Sequence, residues 1–354
     1  MYTQNIDAPR LPVSVSASVF KTIAVLAAVC VAAPALSQQA YKAPRTEYGY
    51  PDLQGIWTNA TITPLQRPDK YGERRAHSVE EARSLEQNIA DANAASDRPT
   101  DRGATVQDLD KSCELRGFGS GASCAYNNFW TDSGTLLIDI RGEKRTSIIV
   151  EPTNGRIPAA LPAAQARNAE RRARFRNAGA FDGPEMRPLG ERCIMSFGSS
   201  AGPPMLPLLY NNNYQIVQTK DTVTILVEMV HDTRVIRIGG EHVPTSIRKW
   251  MGDSIGHYEG DTLVVETTHF NEQQSFQGAT ENRKVIERLT RIAPHKILYR
   301  FTVEDPTAYA QPVSGELAFN AAPGNIYEYA CHEGNYALPG ILAGARAEEN
   351  AAKK

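Results

Sequence analysis

The chain has 354 residues, 22% of them charged, and a formal net charge of −2 at pH 7. Its basic residues are scattered, and near-neutral charge without a basic stripe excludes the electrostatic footprint of a nucleic-acid binder. Once a leader is removed, the remaining length suits one large β domain or two smaller units.

The first 37 residues read as an export signal. Lys21 supplies the positive charge, and Thr22 to Ala35 is a short apolar run. Ala35-Leu36-Ser37 then offers small residues before a cut at Gln38. The run is too short for a comfortable membrane span, and no later stretch is long and apolar enough for one. A periplasmic or secreted protein with no stable membrane insertion is therefore expected. Cys30 leaves with the leader, and Cys113, Cys124, Cys193 and Cys331 remain. An even count in an exported chain points to disulfides. Cys113 with Cys124 would close a small loop, and Cys193 with Cys331 a long one, although four cysteines allow three pairings.

Residues 38–52 read as a linker and 53–346 as one domain. Gln54 to Thr58 is a first strand. Ser78 to Asn93 is a helix with Ser78 as N-cap and Glu81 at the capping-box position. Residues 94–128 form a loop-rich excursion around the first cysteine pair. Phe129 to Val150 gives two or three strands. Ala163 to Ala178 is a helix whose arginines make a solvated face. From Tyr214 the pattern is almost continuous strand: Tyr214–Thr219, then Thr222 to Ile236 as one long strand, Ser246–Met251, His257–Tyr258, Thr262–Phe270, Val285–Ile292, Lys296–Glu304, Ser314–Phe319 and Ile326–Cys331. Glu259-Gly260-Asp261 is a hairpin signal. Residues 347–354 read as a disordered tail. Many short strands without intervening helices predict an all-β, antiparallel β-barrel with helical decorations in the N-terminal half.

Gly55-Ile56-Trp57 resembles the G-x-W strand of lipocalin-like (calycin) barrels. That resemblance implies a tryptophan closing one barrel end beneath an arginine from a late strand, here Arg288 or Arg291. A second resemblance covers most of the mature chain. R-T-S-I-I-V-E-P-T-N-G-R-I-P (145–158), Y-N-N-N-Y-Q-I-V-Q-T (210–219), E-M-V-H-D-T-R-V-I (228–236), W-M-G-D-S (250–254), E-G-D-T-L-V-V-E-T (259–267) and Y-A-C-H-E-G-N-Y (329–336) resemble a large family of exported bacterial proteins with no assigned activity. It implies a shared exported β-rich fold. The family usually has arginine at the position of His257, so a shared catalytic role falls to His231 or His332.

Side chains alternate between faces along a strand. Along the strand Thr222–Ile236, His231 lies on the apolar face with Val223, Ile225, Val227 and Met229. Histidine is the common acid/base near neutral pH. Its orienting carboxylate would cross from another strand, with Asp253, Glu266, Glu287 and Glu328 as candidates. Tyr329 to Tyr336, at the end of a last strand, adds His332 and Tyr329 as donors. Tyr210, Asn212, Met229, Trp250 and His257 are expected to line the ligand cavity. No H-x-H, H-x-x-x-H or H-E-x-x-H spacing exists, so no metal or other cofactor is expected. There is no G-x-S-x-G elbow and no phosphate loop. The expected function is acid/base chemistry of lyase or isomerase type on a small, largely apolar, oxygenated molecule. The alternative is a lipocalin-like carrier of such a molecule without catalysis.

Overall fold

A computed structural model describes residues 41–96, 103, 131–177, 179–196 and 202–353. Twelve strands and three α-helices are formed among the described residues. The strands are β1 (Gly55–Thr58), β2 (Asp139–Ile140), β3 (Glu143–Lys144), β4 (Ile149–Glu151), β5 (Asn213–Gln218), β6 (Thr222–Val227), β7 (Thr233–Ile238), β8 (Asp253–Glu259), β9 (Thr262–Thr268), β10 (Lys284–Ala293), β11 (Lys296–Glu304) and β12 (Val313–Ala321). The helices are α1 (Val79–Ser96), α2 (Pro162–Asn177) and α3 (Ala337–Ala352). None of the described helices is long and apolar enough to cross a membrane.

β1 and β5–β12 form a closed barrel in the order β1-β5-β6-β7-β8-β9-β10-β11-β12, shut by pairing of Trp57 with Ala321 and Thr58 with Asn320. β4 adds to the other end of β12. Neighbours are antiparallel except β7 and β8, which run parallel. The all-β barrel is as expected, but it is mixed rather than purely antiparallel.

The barrel interior is filled by side chains. Tyr214, Tyr299, Phe301 and Phe319 stack through one another, with ring centroids 5.1 to 6.0 Å apart between successive members. Among them lies a fully buried ion pair. Arg234 donates to both carboxylate oxygens of Glu287 at 3.1 and 2.6 Å, and the Tyr299 hydroxyl donates to the same carboxylate at 2.7 Å. The stiff segment Gly202–Pro207 enters this end as a plug, with the Met205 amide donating to Tyr299 Oη at 3.0 Å. Side chains this completely shut off from water leave no room for a ligand, so the expected central cavity is not formed among the described residues.

Trp57 is buried, its Nε1 donating to Leu53 O at 3.0 Å, and the Arg291 guanidinium lies 5.4 Å from its ring centroid. Arg291 also donates to Asp52 O and Pro294 O, at 3.0 and 2.6 Å, so the cation stacked on the indole stays hydrogen-bonded. Arg288 sits on the outer wall with Glu259. The preceding glycine is required for its backbone: Gly55 has φ +133°, closed to other residues.

Helix α1 starts as its sequence predicts. The Glu81 amide donates to Ser78 Oγ at 3.2 Å and the Ser78 amide to Glu81 Oε2 at 2.9 Å, a reciprocal capping box.

Four expectations about elements are corrected. Thr222–Ile236 is not one strand but the β6–β7 hairpin, pairing Thr222 with Arg237. Its turn places Val230 at φ +62° and His231 at φ +46°. Ser246–Met251 is a connection with a single bridge at Lys249 to Phe270. Ile326–Cys331 is not a strand, and α3 runs through Ala352 where a tail was expected.

Candidate functional site

Cys193 and Cys331 are bridged, with Cα atoms 5.7 Å apart across 138 residues of sequence. Cys113 and Cys124 lie outside the described residues. The bridge holds the segment after β12 beside the Gly190 loop, helped by Asn335 Nδ2 donating to Glu191 O at 3.2 Å. A groove of about 480 Å³ runs between them, lined by Glu191, Glu328, Tyr329, Leu338 and Ile341 among others. Of its acids, Glu191 is held by Arg187 at 2.8 Å, and Glu328 is exposed.

His231 is exposed on its turn, and its Nδ1 meets Tyr329 O at 2.8 Å. Thus His231 and Tyr329 do come together, but through a backbone carbonyl, and among the described residues no carboxylate is hydrogen-bonded to the ring. His332 and Glu328 are exposed. The expected grouping of His231, His332, Asp253 and Glu328 is not assembled. Met229 is a core residue, and Trp250, Tyr210 and the Tyr329 ring pack on the core from its edge. Asn212 is buried and structural: its side chain accepts from the Leu208 amide and donates to Asp132 O and Leu208 O. His257 lies on the outer wall beside Glu259, at 3.1 Å.

The turn holds one costly group. Asp232 Oδ2 is buried without a hydrogen-bond partner, and burial pushes its carboxyl up to about 6 against the opposing pull of His231. An acid raised in the folded state penalises folding once pH passes its unfolded value near 4, and the penalty is complete above about 6. Asp232→Asn is therefore expected to add about 1–2 kcal/mol of stability at neutral pH and nothing near pH 3. Denaturant titrations showing an equal gain at both pH values would refute this.

The chemistry-bearing cluster lies instead where the β7–β8 connection meets the end of β9. Lys249 N donates to His269 O at 3.0 Å and Asn271 N to Lys249 O at 2.9 Å, so residues 239–252 are zipped onto this end. Gly252 permits the contact: it has φ +71°, and a Cβ there would stand 2.6 Å from Thr268 O. Asp253, at the start of β8, is buried beneath. Both its oxygens are taken. Arg237 donates to them at 3.0 and 2.9 Å, Lys249 Nζ at 2.7 Å, the Val243 amide at 3.2 Å and His242 Nδ1 at 3.0 Å. The Arg237 guanidinium above all, then Lys249 and His242, hold the Asp253 carboxyl far below the usual carboxylate range, although burial opposes them.

A carboxylate that only accepts fixes the proton of His242 on Nδ1 and turns Nε2 outward. There Nε2 lies 3.3 Å from Glu266 Oε1, and the His269 ring stands edge-on at 5.5 Å between centroids. His269 has φ +56°, a left-handed conformation that β-carbon-bearing residues seldom adopt and that concentrates at functional sites. Burial, then neighbouring His242, lowers the pKa of His269, which favours its neutral form. The site thus comprises a histidine oriented by a buried carboxylate, a second carboxylate at its free nitrogen and a neutral histidine alongside.

Comparisons with protein-family models, with curated proteins and with solved structures return no match.

Asp253 is among the carboxylates expected to orient His231, and the structure sets it against a different histidine. The histidine is His242, which strand periodicity passes over because it lies in a connection. Its signal was Gly239-Gly240-Glu241-His242-Val243-Pro244, an ionisable ring framed by turn formers between barrel strands, where function concentrates.

Proposed function

We propose that this protein is an exported enzyme that moves protons at the barrel rim, with His242 as the acid/base. The carrying observation is the placement of His242 between buried Asp253 at Nδ1 and half-buried Glu266 at Nε2. Asp253 keeps the tautomer and steadies the imidazolium that forms when Nε2 takes a proton. Glu266 passes that proton towards solvent. Such a relay, with no serine, threonine or cysteine hydrogen-bonded to His242 among the described residues, suits proton abstraction next to a carbonyl, followed by elimination or isomerisation, hence a lyase or isomerase. The substrate is a small oxygenated molecule reaching the rim from outside, and Lys249 and Arg237 favour one that develops negative charge. The carrier alternative requires an apolar interior cavity, and the filled barrel lends it no support. The Cys193–Cys331 bridge supports an oxidising compartment, periplasmic or secreted. A lipocalin-like relation is supported by the Trp57–Arg291 stack alone.

The test uses 5-nitrobenzisoxazole, whose ring opens when a base removes its carbon-bound proton, on chelator-treated protein. His242→Gln is expected to lower the rate by about 100-fold or more while the circular dichroism stays unchanged. Equal rates for the wild type and His242→Gln would overturn the assignment.

A further inference from the structure

The Cys193–Cys331 bridge is unsymmetrical about its two sulfurs. Cys331 is half-buried and lines the groove of about 480 Å³ between the Gly190 loop and α3, whereas Cys193 is buried and does not line it. A thiolate opens a disulfide by attacking one sulfur, which then expels the other. Access from the groove therefore selects Cys331 as the sulfur attacked and Cys193 as the one that leaves.

The leaving side is prepared for charge. A departing sulfur carries the bonding pair away as a thiolate, and it leaves faster where that thiolate is stabilised. Asn335 has two amide protons to give. Its Nδ2 donates to Glu191 O at 3.2 Å and to Cys193 Sγ at 3.4 Å. The carbonyl contact aims the amide, and the contact with sulfur favours the charged form of Cys193. The nearest polar neighbour of Cys331 Sγ is instead an acceptor, Gly190 O at 4.0 Å, which opposes negative charge on that sulfur. Cys193 also holds φ at +55°, a left-handed conformation that is costly for a residue with a β-carbon and concentrates at functional sites.

We propose that the bridge is a thiol-exchange site of fixed polarity, in which an external thiolate entering by the groove bonds to Cys331 Sγ and Cys193 Sγ leaves as a thiolate facing Asn335. One sulfur–sulfur bond forms and one breaks. The incoming sulfur is oxidised to the disulfide level, Cys193 is reduced, and its thiolate takes a proton from water. The product is a mixed disulfide at Cys331, with the segment after β12 no longer tied to the Gly190 loop through sulfur. Of the groove's two acids, Glu191 is paired with Arg187, and Glu328 is exposed and disfavours an anionic thiol. The class of reactant is therefore a neutral or cationic thiol. The inference is independent of the proton chemistry at the rim.

Cysteamine, a cationic thiol, is the probe. Native full-length protein is exposed to it briefly, its free thiols are trapped with N-ethylmaleimide, and the peptides are mapped by mass. The expected early product carries cysteamine on Cys331 and the alkyl group on Cys193, in about 10-fold or greater excess over the reverse pattern. In guanidinium-unfolded protein, which has neither the groove nor the Asn335 contact, the two patterns should become comparable. Asn335→Leu keeps the volume and removes the donor, and it should slow exchange by about 5-fold or more with the circular dichroism unchanged. A side chain that merely restrained the segment would give the opposite sign, because its loss would expose the bridge and speed exchange. No exchange in the native protein, cysteamine chiefly on Cys193 or equally on both, the same bias in the unfolded chain, or an Asn335→Leu rate at or above that of the wild type would each overturn the proposal.

Discussion

Glu287→Leu lowers the free energy of unfolding by about 3–5 kcal/mol, and adding Arg234→Met recovers most of the loss: that is the expected outcome of denaturant titrations on the two variants. The reason lies in the barrel interior, where Arg234 and Glu287 are both essentially inaccessible to water. Two charges removed from water are tolerable together because each solvates the other. Removing the carboxylate alone strands a guanidinium among Tyr214, Tyr299 and Phe319, and takes away the acceptor of the Tyr299 hydroxyl. Removing both charges replaces the pair with apolar volume, which buried sites often accept at little cost. A single variant within about 1 kcal/mol of the wild type, or a double variant as unstable as the single, would show that water reaches the pair.

The second large effect concerns the bridge. Cys331→Ser is expected to cost about 2–5 kcal/mol, because it frees a loop of 138 residues in the unfolded chain. Cys193→Ser/Cys331→Ser should cost the same as the single change, and the difference from the wild type should vanish under reducing conditions. The segment beyond β12 has a local readout as well. Its residues from 322 to 352 are exposed or only partly buried, and what ties them down besides the bridge includes the Ala322 amide to Ile56 O, His231 to Tyr329 O, Asn335 to Glu191 O, Arg346 to Phe181 O and Asp182 O, and the packing of Tyr329 on the core. Proteolysis at Arg346 should therefore speed up on reduction while the barrel stays folded. An unchanged cleavage rate would mean that those contacts suffice.

The barrel was legible wherever strand alternation was bounded by turn chemistry. Asp253–Glu259 and Thr262–Thr268 flank Gly260-Asp261 and pair as the hairpin expected there, and Lys284–Ala293 and Lys296–Glu304 pair across Pro294-His295. The reading failed where the chain turns without such residues. Met229-Val230-His231 continues the apolar alternation of Val223, Ile225 and Val227, yet two of its residues take left-handed backbone conformations. A β-branched valine at positive φ is one that propensity argues against, and tertiary packing of Met229 into the core overrides it. That error moved His231 from an exposed turn onto an imagined interior face. The polar interior was misjudged for a related reason. Glu287 alternates correctly into the barrel, but nothing in its own strand reveals that its partner is Arg234 rather than a histidine. Asp253 was recognised, whereas His242 was not, because their meeting depends on a long connection folding back upon the sheet.

That connection has an origin in simple counting. A closed ring of strands in which each runs opposite to the last returns to its starting direction only when the number is even. Here the ring has nine members, so at least one step must keep direction, and it falls between β7 and β8. A step that keeps direction cannot be made by a tight turn; the chain has to travel back outside the wall before re-entering. Residues 239–252 are that return journey, and they carry His242 and Lys249 to Asp253. The rim cluster is thus tied to the oddness of the ring. A barrel of this design with one strand fewer could close with hairpins throughout, and would have no excursion on which to mount the site.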